Sequence, residues 1–200
     1  MMMNQEDLLA RQKQLQVEAG SVAEEMNLMP LLSAAGKPVI VGSAALGLMA
    51  WRDLDVTVVC SKLDMAAVSG IALQLMSNPG VREMKFINDT GQWNTDPAYP
   101  DGYFLGLAYG SANGHRWELD IWFVDEPDKQ PDLLHIQTML ARLTPAKIAA
   151  ILSIKTEWAK RAEYGNQVKS FDIYSAVLDD DVGTPAEFQQ WLQSRSDDFH

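Results

Sequence analysis

Apolar residues change their spacing several times along this chain, and the changes mark out its elements. Leu8, Leu15, Val22 and Met26 fall at helical intervals in a Glu-, Gln- and Ala-rich segment, which predicts helix from about Gln5 to Leu28 with a break at Gly20-Ser21. Val39, Ile40 and Val41 form a β-branched run that stops at Gly42-Ser43, the pattern of a strand turning into a helix N-terminus. Strict alternation begins at Asp53. A period of two places Leu54, Val56 and Val58 against a core and leaves Asp53 and Asp55 together on the opposite side of the strand. Met65 to Met76 returns to helical spacing and stops at Asn78-Pro79-Gly80.

Met84 to Ile87 reads as a short strand, followed by an irregular stretch from Asn88 to Gly102 that carries Trp93 and Tyr99. Loops of that length in a small domain tend to serve function. Tyr103–Ala108 and His115–Phe123 are two strands joined by a connection ending in Asn113-Gly114, so they are expected to pair antiparallel. In the second of them Trp117, Leu119, Ile121 and Phe123 share one face, and Glu118, Asp120 and Trp122 share the other. From Pro131 the pattern is helical: Asp132–Leu143, a long helix from Thr144-Pro145 to about Tyr164, then Ser170–Leu178 and Thr184-Pro185 to Gln193. The expected architecture is α+β, a small mixed sheet with helices on one face and the other face open as a cleft. Residues 1–128 form that domain with its N-terminal helix, and 129–200 form a helical region.

Composition narrows the partners. With 47% hydrophobic and 22% charged residues in 200, the chain can bury an ordinary core. Its net charge of −11 argues against broad phosphate-backbone binding, so nucleic acid is an unlikely partner, although Arg52, Lys155, Lys160, Arg161 and Lys169 could make a local basic patch. Cys60 is the single cysteine, which rules out an internal disulfide and a thiolate metal cage. His115, His135 and His200 lack the spacing of a zinc site. The N-terminal residues do not resemble a signal peptide and no stretch is apolar enough for a membrane span, so a soluble, cytoplasmic protein is expected.

The candidate chemistry lies between Val39 and Cys60. Backbone N–H groups at the Gly42-Ser43 turn, with the positive end of a helix dipole, can cradle a phosphate. Two carboxylates on one side of a strand, Asp53 and Asp55, can hold a divalent cation. Taken singly, each feature has a plainer reading: Ser43 as an N-cap, and the aspartates as a solvated strand end. Together, an apolar strand, Gly-Ser, a short gap and Asp-x-Asp on a second apolar strand resemble the nucleotidyltransferase superfamily with the polymerase-β-like fold. The likeness covers Val39 to Phe123 and implies a third carboxylate from a later strand, for which Asp120 is the candidate and Glu118 the alternative.

That resemblance implies Mg²⁺ or Mn²⁺ held by Asp53, Asp55 and Asp120. It implies a nucleoside triphosphate bound over Gly42 and Ser43, and transfer of a nucleoside monophosphate to a hydroxyl with release of pyrophosphate. Asp120 would complete the second metal site or take the proton of the attacking hydroxyl. An acidic surface would draw a polycationic acceptor such as an aminoglycoside-like compound, and a protein hydroxyl is the other candidate. A different class of function is a non-catalytic nucleotide-sensing or interaction module that keeps the fold. Lys155 and Lys169 could neutralise a triphosphate, and Trp51, Trp93, Trp117 or Trp122 could stack on a base. Their plainer readings are solvated helix charges and core aromatics.

Overall fold

Alternation in the sheet strands sets the layering of the protein, seen in a computed structural model that describes residues 4–197. Strands β1 (Lys37–Ile40), β2 (Asp53–Val59), β3 (Val81–Asp89), β4 (Gly102–Gly110) and β5 (Arg116–Val124) form a five-stranded mixed sheet in the order β1-β2-β5-β4-β3. The β2–β5 pair is parallel and the other three pairs are antiparallel. One sheet face carries Leu54, Val56 and Val58 of β2, Leu105 and Leu107 of β4, and Leu119, Ile121 and Phe123 of β5, all essentially buried. Two helices, α1 (Gln5–Glu25) and α4 (Met65–Met76), supply Leu15, Val22, Val68, Ile71 and Leu75 to the same core, and Met26 just past α1 joins them. Short α2 (Leu28–Leu32) adds Leu28 and Leu32. Burying each of these aliphatic side chains is worth about 1.5–3 kcal/mol, which is why a one-residue slip of β2, exposing three of them and burying two aspartates, is excluded.

The chain forms two compact units, Leu15–Leu140, which contains the whole sheet, and Met1–Gln14 with Ala141–His200. In the second unit α6 (Pro145–Trp158), α7 (Ser170–Asp179) and α8 (Pro185–Asp197) pack through Ile151, Ile154, Ile173, Val177 and Phe188. Trp158 meets Phe188 edge-on at 5.1 Å. As expected, Thr144 caps α6, its hydroxyl accepting from the Lys147 N–H at 3.3 Å. Lys155 departs from the solvated-charge reading. Its side chain is buried, and Nζ donates to the Tyr174 hydroxyl at 3.1 Å.

Several boundaries differ from the sequence pattern. Gly20-Ser21 does not break α1, which runs unbroken to Glu25; the chain turns at Asn27 instead, in the left-handed conformation at φ 48°. A Cβ added at Gly20 would meet nothing within 4 Å. Gly20→Ala is therefore expected to stabilise the protein by about 0.5–1 kcal/mol, measurable by urea denaturation. Strand β3 is longer than Met84–Ile87, because hydrogen bonding to β4 from Glu83 to Asp89 extends it where its side-chain alternation is weak. Helix α5 (Pro131–Met139) passes into a 3₁₀ turn at Leu140–Arg142 rather than continuing to Leu143. Helix α6 stops at Trp158, six residues short of Tyr164. Among the described residues no helix is long and apolar enough to cross a membrane.

Candidate active site

The site is assembled where β1 turns into α3 (Gly42–Leu46) beside the start of β2. Pairing of β1 with β2 puts Ile40 opposite Val56, and one step on the Val41 N–H donates to the Asp55 carbonyl at 2.9 Å. Gly42 follows with φ +60°, a backbone state that suits glycine. It also lies directly against the Asp55 carboxylate: a Cβ at Gly42 would fall 2.8 Å from Asp55 Cγ and closer still to Oδ2. Ser43 is buried, and its carbonyl accepts from the Leu48 N–H at 2.9 Å. The short helix is further held by Gln16, whose side-chain amide donates to the Ala44 carbonyl at 2.7 Å.

Across the sheet, the parallel register sets Asp53 opposite Glu118 and Asp55 opposite Asp120. Directly opposed residues of adjacent strands project to the same face, so the carboxylates of Asp53, Asp55, Glu118 and Asp120 share the face away from the core. Their surroundings differ. Glu118 is bridged by Arg116 at 2.8 Å, and Arg52, beside Asp53, is spent on Glu18 at 2.9 Å. Asp120 opens to solvent on one side. The strands around it strip part of its hydration, and repulsion from Asp53, Glu118 and Asp132 adds to this, pushing its pKa up to about 6. Lys85 acts in the opposite direction.

Asp132, Lys85 and His135 are the site neighbours that the sequence pattern did not single out. Asp132 sits in the first turn of α5 behind Pro131; burial raises its pKa, while His135 and a hydrogen bond from Gln130 at 3.3 Å hold it down. Burial lowers the pKa of His135, and Asp132 opposes that shift. The four tryptophans considered for stacking divide: Trp117 is core, Trp93 is 63% exposed, and Trp51 and Trp122 are half-buried. Trp122 packs on Phe104 at 5.1 Å. Lys169 directs Nζ to the Gly165 carbonyl at 2.5 Å, a local loop contact.

Among the described residues, no three His, Cys, Asp or Glu side chains converge tightly enough to make a ready metal cage. The donor chemistry nevertheless fits a hard divalent cation: the ligand atoms available are carboxylate oxygens, and their mutual repulsion at Asp120 is of the kind a cation relieves. A pH dependence follows for the metal-free protein. Between the ordinary carboxyl value of 3.8 and about 6 the folded state holds the proton that the unfolded state has lost, so stability falls as pH rises through that window. Asp120→Asn should then be more stable than the parent at pH 7.5, by less than about 1 kcal/mol because solvent screens the group, with the difference vanishing near pH 4. Denaturant melts at the two pH values check it, and a destabilised Asp120→Asn at pH 7.5 would show that the carboxylate is held by partners rather than repelled.

No family profile matches the chain, and no curated protein matches it either. Solved structures do. A cytoplasmic RNA terminal U-transferase superposes with a TM-score of 0.53 at 19% identity, over 83% of this chain and 46% of that one. Cid1 in complex with the UTP analogue UMPNPP gives 0.56 at 18%, over 82% and 48%, and Cid1 poly(U) polymerase with MgGTP bound gives 0.55 at 21%, over 82% and 50%. The chain thus spans about half the length of the structures it matches. In the order of its strands, the placing of its helices and its likeness to these enzymes, the chain has the polymerase-β-like nucleotidyltransferase fold.

Proposed function

We propose that the protein is a metal-dependent nucleotidyltransferase that moves a nucleoside monophosphate from a nucleoside triphosphate to a hydroxyl acceptor. The observation that carries this reading is the juxtaposition of the Gly42 turn, pressed onto Asp55, with carboxylates of two parallel strands in register at Asp53–Glu118 and Asp55–Asp120. The structures it resembles support it, being described with a UTP analogue or MgGTP bound.

Asp53, Asp55 and Asp120 would hold Mg²⁺ or Mn²⁺, which when bound supplies positive charge to the phosphate oxygens. Asp120 is favoured over Glu118 as the third carboxylate because Glu118 is already neutralised by Arg116. Gly42, lacking a side chain, lets backbone approach the triphosphate, and Ser43 follows it in the first turn of α3, whose N–H groups would meet the phosphates. In the reaction the acceptor oxygen bonds to the α-phosphorus, the bond from that phosphorus to the bridging oxygen breaks, and pyrophosphate leaves with the electron pair. The hydroxyl proton passes to an Asp120 oxygen, a carboxylate on the same sheet face as Asp53 and Asp55.

The comparisons lend no support to a small-molecule acceptor of the aminoglycoside kind. One neighbour is described as an RNA terminal U-transferase and another as Cid1 with its short product ApU, so an RNA hydroxyl stands as the better-supported acceptor despite the net charge of −11. The first test is a thermal melt with nucleotide. At a hundredfold excess over Kd a metal–nucleotide complex adds about 2.7 kcal/mol of stability, roughly 5–10 °C in Tm for a chain of this size. Metal and nucleotide together should exceed the sum of either alone, and no shift with any of the four triphosphates would count against the reading.

A further inference from the structure

The open face of the sheet carries a groove of about 340 Å³ that begins at Asp120 and runs towards the edge strand β3. Register explains why it is there. The cross-strand row through Asp55 continues Asp120–Gly106–Lys85, and the next row continues Glu118–Ala108–Glu83. Strand β4 therefore offers only Gly106 and Ala108 between the longer side chains of β5 and β3, which makes a channel with a floor of small residues. Phe104 closes one end, its ring folded over Gly106 so that a Cβ there would meet it at 2.9 Å. Of the charged groups that line the channel, Glu118 is bridged to Arg116 and Glu83 to Arg82, while Lys85 is the lining's one cation.

We infer that this groove is the acceptor subsite and that Lys85 is a positioning residue, anchoring a phosphate of the acceptor while the attacking hydroxyl lies at Asp120. This rests on the nucleotidyltransferase reading above and adds the acceptor's chemistry to it. Adjacent strands are about 4.8 Å apart, so the backbones of Asp120 and Lys85 stand roughly 10 Å apart, with Gly106 and the edge of the Phe104 ring between them. Their side chains rise from the same face, narrow that interval and line one groove with the Phe104 ring. A terminal nucleotide, with its hydroxyl at one end and its 5′-phosphate at the other, is a compact group of matching reach and opposite end-to-end polarity: hydroxyl to the carboxylate, phosphate to the ammonium. An acceptor without a phosphate leaves Lys85 unused. A single anchoring phosphate is also compatible with a net charge of −11, since it needs one cation and no extended basic surface.

The test uses the full chain, a fluorescent single-stranded RNA 15-mer and the dinucleotide ApA against adenosine. Wild type should bind the 15-mer in anisotropy titrations, and Lys85→Glu should weaken binding roughly tenfold at low salt and reduce the salt slope by about one, with Lys85→Arg close to wild type. In turnover, ApA should be preferred to adenosine, and Lys85→Gln should erase the preference by raising KM for ApA while kcat and the metal–nucleotide melting shift stay put. Lys85 is exposed, so these variants are expected to fold. Unchanged or tighter RNA binding by Lys85→Glu, or no binding by wild type, overturns the assignment. A missing melting shift in wild type would instead sink the nucleotidyltransferase reading, whatever the Lys85 variants do in anisotropy.

Discussion

Gly42→Ala is expected to destabilise the protein by about 2–4 kcal/mol and Gly42→Val by more, and any folded fraction should lose nucleotide binding. Two independent effects act at this one position. The backbone is at φ +60°, where a side chain costs about 1–2 kcal/mol. The new Cβ also lands on the Asp55 carboxylate, 2.8 Å from Cγ, and β2 pairs with both β1 and β5, so the backbone of Asp55 cannot retreat. The carboxylate must then swing or β1 must shift, and either change displaces the turn from the carboxylates it serves. Gly91 is the control. It too has positive φ, at 57°, but its Cβ would meet nothing within 4 Å, so Gly91→Ala should show the conformational cost alone. Urea denaturation of the three proteins separates strain from collision, and equal losses at Gly42 and Gly91 would mean that the contact with Asp55 has no energetic weight.

Asp55→Asn is expected to lower turnover by about 10²-fold or more, equivalent to roughly 3 kcal/mol of lost transition-state stabilisation, with the fold retained. Asparagine keeps the volume that rests on Gly42, and the backbone carbonyl still accepts from Val41 at 2.9 Å, so the substitution isolates charge from shape. The cooperative melting shift with metal and nucleotide should shrink in parallel, because a neutral amide is a poorer ligand for a hard cation than a carboxylate. A nucleotide-sensing module would behave differently: the melting shift would fall in Asp55→Asn, but wild type would already show no turnover with any acceptor.

Much of the sheet was legible in the sequence because burial writes itself into alternation. The faces of β2 and β5 follow from Leu54, Val56 and Val58 and from Trp117, Leu119, Ile121 and Phe123, one side of each strand being fully buried. The structure brings Asp53, Asp55 and Asp120 to one face as that alternation requires. Strand β3 reads shorter in the sequence than it is because it lies at the sheet edge, where Arg82, Glu83, Lys85 and Phe86 are all exposed and no buried face disciplines the sequence. Gly20 misleads for the converse reason: helix α1 is held by Leu15, Ala19 and Val22 on its inner side, and that packing outweighs a propensity cost of about 1 kcal/mol on its outer side. Lys85 and Asp132 could not be read as site neighbours from spacing at all. Their place depends on strand order and register, and on how α5 leaves the sheet, and these are settled by contacts far apart in the chain. Lys155 is a similar case, a helical lysine whose burial against Tyr174 comes from the packing of α6 on α7.

The most direct test of the central claim is pyrophosphate release measured with each of the four nucleoside triphosphates, Mg²⁺ or Mn²⁺, and acceptors that include RNA with a free 3′-hydroxyl. The prediction is metal-dependent turnover by wild type with at least one triphosphate, covalent addition of the nucleotide to the acceptor, and loss of both by about 10²-fold in Asp55→Asn. Equal release by wild type and Asp55→Asn would contradict the account, since the carboxylate at the Gly42 turn would then have no part in the reaction.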